Sequence, residues 1–300
     1  MATAAEPRPA DLPLPGGRDG ARVKLHPLLT GSTTGPRAWF LREEGRMAWR
    51  RAFGFGVGKS DWLRVPVPAF LVEHPGAGHL LIDTGFHPSV AAKPTANLGR
   101  LAQFTFRDIE MTPDQAASAQ LRERGIASNA IKFVVMTHLH IDHASAISEF
   151  PESTFVVSSA EWAAASDGGQ FEGYVKRQFD HGFDWRLLDF ASRDSDSFSG
   201  FARSFDLFGD GSVRAVFTPG HTLGHMSLVL RTGSGEVLVA GDAIYMRQTL
   251  SAEHLPYRMA DEHLFRRSLR EIRQYATETP DALIVPGHDF DAWHELEAVY

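Results

Sequence analysis

The sequence predicts an α/β fold built in layers, with helices covering β-sheets. Short apolar runs rich in β-branched residues recur along the chain between segments of helical pattern, and polar residues directly follow several of these runs. The chain has 300 residues, of which 43% are apolar and 22% charged, so it can bury a large core as an ordinary globular protein.

Residues 1–21 are expected to form a flexible N-terminal tail, because their proline and glycine content cannot sustain a regular element. Residues 22–300 are expected to form a single domain. The start of the chain lacks the charged and apolar parts of a secretory signal, and no apolar run is long enough to span a bilayer. We therefore expect a cytoplasmic protein with no membrane partner.

In the first half of the chain, residues 65–70 and 79–82 have β-like patterns, and His74-Pro-Gly-Ala-Gly78 between them predicts a hairpin turn. A helix is predicted over residues 113–124, because a proline suits its first turn and a glycine follows its end. The run 131–136 is short and nearly all apolar, which predicts a strand covered on both faces.

The second half continues the alternation, except in residues 166–209. That polar stretch with scattered aromatic residues is interpreted as a partly helical insertion beside the rim of the site. The remaining patterns predict two helices and four strands: helices 159–165 and 261–277, and strands 213–217, 226–230, 237–240 and 282–285.

The net charge and the cysteine content restrict which molecules and metal ligands are expected for this protein. The net charge of -7 argues against a nucleic-acid partner, since a phosphate-binding surface is usually basic. There are no cysteines, so a metal ion could be bound only by imidazole and carboxylate groups.

The most informative stretch is Thr137-His138-Leu139-His140-Ile141-Asp142-His143, directly after a predicted strand. Residues two apart in an extended turn can point to the same side, so His138 and His140 can hold one ion. Asp142 and His143 then face a neighbouring position. A lone histidine is more often structural, but three with an aspartate at this spacing predict a metal site.

Three further polar residues follow apolar runs and a glycine: His221 in Pro-Gly-His-Thr-Leu-Gly-His, Asp242 in Ala-Gly-Asp, and His288 in Pro-Gly-His-Asp. The glycine lets the backbone turn and bring the side chain inward. Five histidines and two aspartates suffice for two adjacent ions, with positions left for water and substrate.

The pattern HxHxDH, then PGHTxGH, GDA and PGHD, preceded by DTG, resembles the metallo-β-lactamase superfamily across most of residues 65–290. The resemblance implies a four-layer αββα sandwich of two mixed sheets, with helices outside and the metals at one edge. It also implies that residues 22–300 are one metallo-β-lactamase-fold hydrolase domain.

By the same resemblance, two divalent ions are expected, with zinc as the first choice and iron, manganese or cobalt as alternatives for these donors. Asp83 of the DTG motif is similar to a residue that supports the ligands without binding metal. His225 is expected to support the ligands or to pack beside them, and not to bind a metal ion. The implied ligands are three for each ion and one bridging carboxylate: His138, His140 and His221; Asp142, His143 and His288; and Asp242.

The superfamily hosts many reactions, so the substrate must come from other features. The β-lactamases commonly use a cysteine ligand or lack the bridging carboxylate. Flavodiiron proteins need an additional domain, and the acidic balance disfavours the RNA-processing members. Only twelve residues follow His288, so the helical glutathione-binding domain of glyoxalase II is not expected.

Tyr245 stands three residues after Asp242, as in the N-acyl homoserine lactonase branch. That branch implies ring opening of N-acyl homoserine lactones, a quorum-quenching activity. Tyr245 would then bond the lactone carbonyl or the developing alkoxide, and Asp142 would pass a proton to the leaving alkoxide. The chain departs from the branch after His143, where Ala-Ser-Ala replaces the common Ala-Gly-Gly.

Other functions stay open at this point. Ester, glyoxalase II-like thiolester and organophosphate hydrolysis use the same ligands, and an inactive metal-binding module is disfavoured only by the complete ligand set.

An acyl chain needs an apolar groove. Met47, Trp49, Phe53 and Phe55 suit either a mobile lid over it or packing on the core or a second subunit, which would allow a homodimer.

Overall fold

The structure, a computed structural model, describes residues 4–100 and 107–300. Two β-sheets lie face to face, and helices pack on the outer face of each sheet. The expected αββα sandwich is therefore confirmed.

Within the described residues, the two sheets contain β1 (Arg8–Pro9), β2 (Lys24–Pro36), β3 (Trp62–His74), β4 (Gly78–Ile82), β5 (Arg107–Glu110), β6 (Ile131–Val135), β7 (Thr154–Ser158), β8 (Asp184–Leu188), β9 (Asp196–Phe198), β10 (Phe201–Asp206), β11 (Val213–Phe217), β12 (Met226–Arg231), β13 (Glu236–Gly241) and β14 (Leu283–Pro286). The α-helices of the same ranges are α1 (Arg37–Phe40), α2 (Ala48–Ala52), α3 (Pro94–Leu98), α4 (Ala117–Glu123), α5 (Ser159–Asp167), α6 (Lys176–Phe179), α7 (Arg247–Ser251), α8 (Glu262–Glu278) and α9 (Phe290–His294). Short 3-10 turns occupy Lys59–Asp61, Pro88–Ala91, Pro113–Gln115, Ser128–Ala130 and Ile147–Glu149.

Both sheets are mixed. The first has the order β1-β8-β7-β6-β4-β3-β2-β5, with its strands parallel from β1 to β4 and antiparallel from β4 to β5. The second has the order β14-β13-β12-β11-β10-β9, in which only the β13–β14 pair is parallel. Since β4 and β6 are parallel neighbours, and so are β13 and β14, the loops after them open at shared edges.

The predicted hairpin is confirmed, with β3 and β4 antiparallel and Phe70 opposite Ile82. Neighbouring residues of a strand point to opposite faces. Val72 therefore lies in the core between the sheets, whereas Leu71 packs toward the outer helices. Both faces are covered, which explains why this part of the sequence is nearly continuously apolar.

The long predicted helix is also confirmed, as α8. The side chain of Asp261 accepts a hydrogen bond from the backbone of Leu264 and caps its first turn. Phe265, Leu269 and Ile272, which recur on one face, pack against the outer side of the second sheet. Among the helices of residues 4–100 and 107–300, none has the length and apolar character needed to cross a bilayer.

The described part of the N-terminal segment differs from the flexible tail expected over residues 1–21. Arg8 and Pro9 pair in parallel with β8, and the backbone of Leu14 donates to Leu207 at 2.7 Å. Leu14 is only 5% exposed and joins the core between the sheets. Proline excludes a helix, but it is tolerated in an edge strand, where its missing N–H costs no ladder bond.

Residues 166–209 are not a separate insertion. Their second half supplies β8 to the first sheet and β9 and β10 to the second, while their first half borders the cavity described below. These strands are short and partly exposed, so polar residues interrupt the apolar alternation that would have identified them.

Candidate metal centre

All seven predicted ligands lie together at one edge of the sandwich, in the loops that follow β6, β11, β13 and β14. They form two groups, and within each group the donor atoms lie within 4.8 Å of one another. The first group is His138, His140, His221 and Asp242, and the second is Asp142, His143 and His288. The structure thus brings together residues that are far apart in the chain.

The carboxylate of Asp242 stands between the two groups. Its Oδ2 atom lies 3.2 Å from Nε2 of His221 and 3.8 Å from Nε2 of His138. Its Oδ1 atom lies 3.2 Å from Nε2 of His288 and 3.4 Å from Nε2 of His143. Each oxygen therefore faces a different group, an arrangement that would allow two ions to share this carboxylate.

Glycines allow this close approach. Gly241, just before Asp242, has φ of 53°, in the left-handed region that favours glycine. A Cβ atom on Gly287, just before His288, would lie 2.6 Å from Oδ1 of Asp242. The glycine that precedes each polar residue in these motifs is thus required by the local geometry.

Unpaired buried atoms test whether these residues fit a cation. The Nε2 atoms of His138 and His143 are buried and make no hydrogen bond among the described residues. Buried polar atoms are normally paired, because leaving them unpaired is costly. In the first group, Nδ1 of His140 and Nε2 of His221 lie 2.8 Å apart and converge on the same space. Nitrogen donors that converge with carboxylates suit zinc and related divalent ions.

The ligand rings of the second group are oriented through their other nitrogen atoms. Nδ1 of His143 donates to Asp83 at 2.8 Å, and Nδ1 of His288 donates to the carbonyl of Pro66 at 2.9 Å. Asp83 in turn accepts from the backbone and the hydroxyl of Thr137, at 2.8 and 2.7 Å. These bonds direct Nε2 of both rings into the site. Asp83 belongs to neither group of donors, in keeping with the supporting position expected for it.

His225 also lies outside both groups. Its Nε2 atom accepts from the backbone N–H of Asp242 at 3.0 Å, and its Nδ1 atom bonds the Thr218 hydroxyl at 2.9 Å. Burial lowers the pKa of His225 to about 4, so the ring is neutral and can accept that bond. His225 therefore holds the backbone from which the Asp242 side chain projects.

Electrostatics differ between the groups. In the first, burial lowers the pKa of His138 and His221 well below the usual value and that of His140 to about 3. All three imidazoles are therefore neutral, with lone pairs available to a metal.

In the second group, burial opposes a charge on His143, but the Asp83 and Asp242 carboxylates outweigh it and raise the pKa of His143 well above its usual value. Burial likewise opposes a charge on His288, where Asp242 again prevails and raises the pKa. This part of the site therefore favours positive charge, which a divalent ion would supply.

Tyr245 lies beside the site and not within either group. Its Oη atom is 3.2 Å from Nδ1 of His221, and its ring packs near Phe40 and His288, with centroids 6.2 and 5.3 Å away. Burial raises the pKa of Tyr245 well above its usual value. The phenol is therefore protonated and able to donate a hydrogen bond.

The site opens into a cavity of about 810 Å³, which Asp142, Asp242 and Tyr245 help to line. Its walls are largely apolar and include Trp39, Phe40, Val65, Leu98, Ile141 and Met259.

The aromatic segment considered as a lid lies elsewhere. None of Met47, Trp49, Phe53 and Phe55 lines the cavity, and their side chains are 39–58% exposed around α2. Phe53 reaches the cavity wall only indirectly, because its ring packs edge-on against Trp39 at 5.6 Å.

Sequence reasoning missed Glu161, a fully buried carboxylate in α5. It accepts from the backbone N–H of Leu139 at 2.9 Å and from the Thr222 hydroxyl at 2.5 Å, so it joins the two loops that carry the first group. The only local signal is Ser158 three residues before it, a helix-capping spacing, and Ser158 does cap Glu161 at 3.0 Å. That signal does not reveal the side chain's contacts with the loops.

Comparisons with known proteins agree with this geometry. The Metallo-beta-lactamase superfamily model matches residues 62–288. The N-acyl homoserine lactonase AttM of Rhizobium radiobacter is 36% identical over 233 residues, which cover 76% of this chain and 84% of that protein.

Two solved structures share the fold. An N-acyl homoserine lactone hydrolase with the product N-hexanoyl-L-homoserine at its catalytic metal center has a TM-score of 0.72 and 22% identity, covering 91% of this chain and 96% of that one. AidC, a dizinc quorum-quenching lactonase, has a TM-score of 0.58 and 12% identity, covering 92% of each chain. The similarity in each case extends over most of the sandwich.

Proposed function

Because this chain belongs to the metallo-β-lactamase superfamily, we propose that it is a metal-dependent hydrolase that opens the ring of N-acyl homoserine lactones. The observation that carries the proposal is the position of Asp242 between two groups of donors, with the Tyr245 phenol beside them in an apolar cavity. The similarity to lactonases supports the choice of substrate.

We propose two divalent ions as the cofactors, with zinc the first choice and iron, manganese or cobalt as alternatives. The dizinc lactonase of the same fold supports zinc. When bound, such ions polarise a carbonyl and lower the pKa of water to about 7. The residues that would hold them are those of the two groups: His138, His140, His221 and Asp242; and Asp142, His143 and His288.

Two residues of the chain are proposed to act on the lactone directly. The protonated Tyr245 phenol donates to the ring carbonyl oxygen as negative charge develops there. Asp142 also lines the cavity, and its carboxylate would take up the proton that the attacking water releases and pass it to the leaving alkoxide. Both are the roles expected from the sequence.

The largely apolar wall of the cavity would receive the acyl chain. Each buried methylene contributes only about 0.8 kcal/mol, so neighbouring chain lengths should differ severalfold in kcat/KM. Hydrolysis of these signals would make the protein quorum-quenching. Its cytoplasmic location, the absence of a nucleic-acid or membrane partner, a homodimer and a single domain over residues 22–300 stay predictions.

A hydrolysis panel with metal content measured on the same sample tests the proposal. It includes N-hexanoyl homoserine lactone, an alkyl γ-lactone, a glutathione thiolester and an aryl phosphotriester. We expect fastest turnover of the acyl homoserine lactone, with a ring-opened product that closes again on acidification. Release of free homoserine lactone, or faster turnover of the thiolester or phosphotriester, would contradict the proposed substrate.

A further inference from the structure

Arg258 lines the cavity and has no side-chain partner among the residues that the structure describes. Among the described residues that line the cavity, it is the only lysine or arginine. No hydrogen bond or ion pair joins its side chain to the described part of the protein. By contrast, Arg42 pairs with Glu262 at 2.7 Å. The five donor hydrogens of the Arg258 guanidinium are therefore available to a ligand.

The backbone holds Arg258 in place. The N–H of Tyr257 donates to the carbonyl of Trp39 at 2.8 Å, and the N–H of Ala260 donates to the carbonyl of His221 at 3.0 Å. Residue 258 is thus fixed between helix α1 and the loop that carries a predicted ligand. This anchoring keeps the base of the side chain at the cavity wall.

Two carboxylates, Asp167 and Glu172, also line the cavity, but neither forms an ion pair with Arg258. Glu172 instead accepts from the backbone of Gly169 at 3.0 Å.

The surroundings of the guanidinium indicate what it can bind. Arg258 is exposed, so water solvates its guanidinium in the free protein. An acyl chain that enters the largely apolar cavity displaces part of that water, and an acceptor on the substrate can replace the lost hydrogen bonds. In an N-acyl homoserine lactone, Tyr245 is assigned to the ring carbonyl. The next acceptor is the amide carbonyl, which joins the ring to the acyl chain.

We propose that Arg258 is a specificity-determining residue that donates hydrogen bonds to the amide carbonyl of the acyl group. The inference rests on the proposed function and deepens it, because it predicts that acylated lactones are preferred over simple ones. Arg258 contributes little to a lactone that has no amide.

The test compares Arg258→Met with the wild type on N-hexanoyl homoserine lactone and on an alkyl γ-lactone of matched chain length without an amide. Loss of a charged hydrogen bond should lower kcat/KM for the acylated substrate by about 10- to 100-fold. The alkyl lactone should change far less. Arg270→Met, which removes an exposed arginine of α8 outside the cavity, is the matched charge control and should alter neither substrate.

Binding of ring-opened N-hexanoyl homoserine, measured by calorimetry, gives a readout that does not depend on turnover. It should weaken in Arg258→Met at unchanged metal content and thermal stability. Equal losses on both lactones, or no loss on either, would overturn the role of Arg258 while leaving the lactonase proposal intact. If the wild type opened no lactone, the proposed function would fail, and the inference with it.

Discussion

The Nδ1 atom of His143 lies 2.8 Å from Oδ2 of Asp83, and this hydrogen bond lets a carboxylate outside both donor groups orient the ring of a predicted metal ligand. Asp83 follows β4 and His143 follows β6, and these strands are parallel neighbours. Their ends therefore meet at one edge, where the backbone N–H of Asp83 also bonds the carbonyl of Val135 at 3.0 Å.

Asp83→Asn should weaken metal binding by the second group about 10- to 100-fold, in line with the loss of a partner that orients a ligand. An amide nitrogen cannot accept from His143, and an amide oxygen alone cannot serve all the donors that now surround Asp83. Metal titration against a chromophoric chelator measures the effect.

Asp210→Asn is the control for Asp83→Asn, because Asp210 pairs with buried His74 at 3.1 Å near the opposite end of β4. It should lower the free energy of unfolding without changing metal affinity. Equal losses of affinity in the two variants would contradict a specific role for Asp83.

Asp242→Ala should remove both ions, from about two equivalents toward none, because its oxygens face both groups. His288→Ala, which alters the second group alone, should retain more metal. Elemental analysis of purified proteins measures the content. An Asp242→Ala variant that still held two equivalents would show that this carboxylate is not shared.

Tyr245→Phe should lower kcat on N-acyl homoserine lactones by about 10- to 1000-fold, the effect of losing one donor to an oxyanion. Metal content should stay unchanged, because the phenol belongs to neither donor group. Tyr275→Phe is the matched control: this buried tyrosine bonds Glu236 at 2.8 Å, outside the cavity lining. An unchanged kcat in Tyr245→Phe would reduce Tyr245 to a packing residue.

His74 should make stability depend on pH. Burial lowers the pKa of His74 despite the opposing charge of Asp210, and Nδ1 already accepts from the backbones of Gly76 and Ala77. Below pH of about 6.5 the unfolded chain therefore binds more protons at this residue than the folded one. Its stabilising contribution is complete above that pH and is lost as the pH falls.

Urea unfolding between pH 5.5 and 7.5 checks this expectation, with these values bracketing the histidine pKa of about 6.5. The free energy of unfolding should fall less steeply with acid in His74→Gln than in the wild type. The difference can reach about 1.4 kcal/mol per pH unit for one proton. The other histidines are common to both proteins, so identical slopes would exclude His74 as a source.

Much of the site could be predicted from local patterns. His138, His221, Asp242 and His288 each come shortly after an apolar run, and strand ends in a layered α/β fold converge at sheet edges. Strand β6 could also be predicted, because a short, nearly all-apolar run indicates a strand that is covered on both faces. Helix α8 could be predicted because its apolar residues recur on one face of a helix. The spacing of the ligands and the buried faces of these elements can therefore be predicted from short stretches of sequence.

Other features depend on contacts between distant segments, which no local period records. Arg8 and Pro9 form a strand because their backbone pairs with β8, which lies far away in the sequence. Glu161 joins two loops because α5 packs beneath both. The cavity is lined by Trp39 and Arg258, and the conspicuous aromatic segment 47–55 lies outside it, because cavity shape depends on how whole elements pack and not on which residues are apolar.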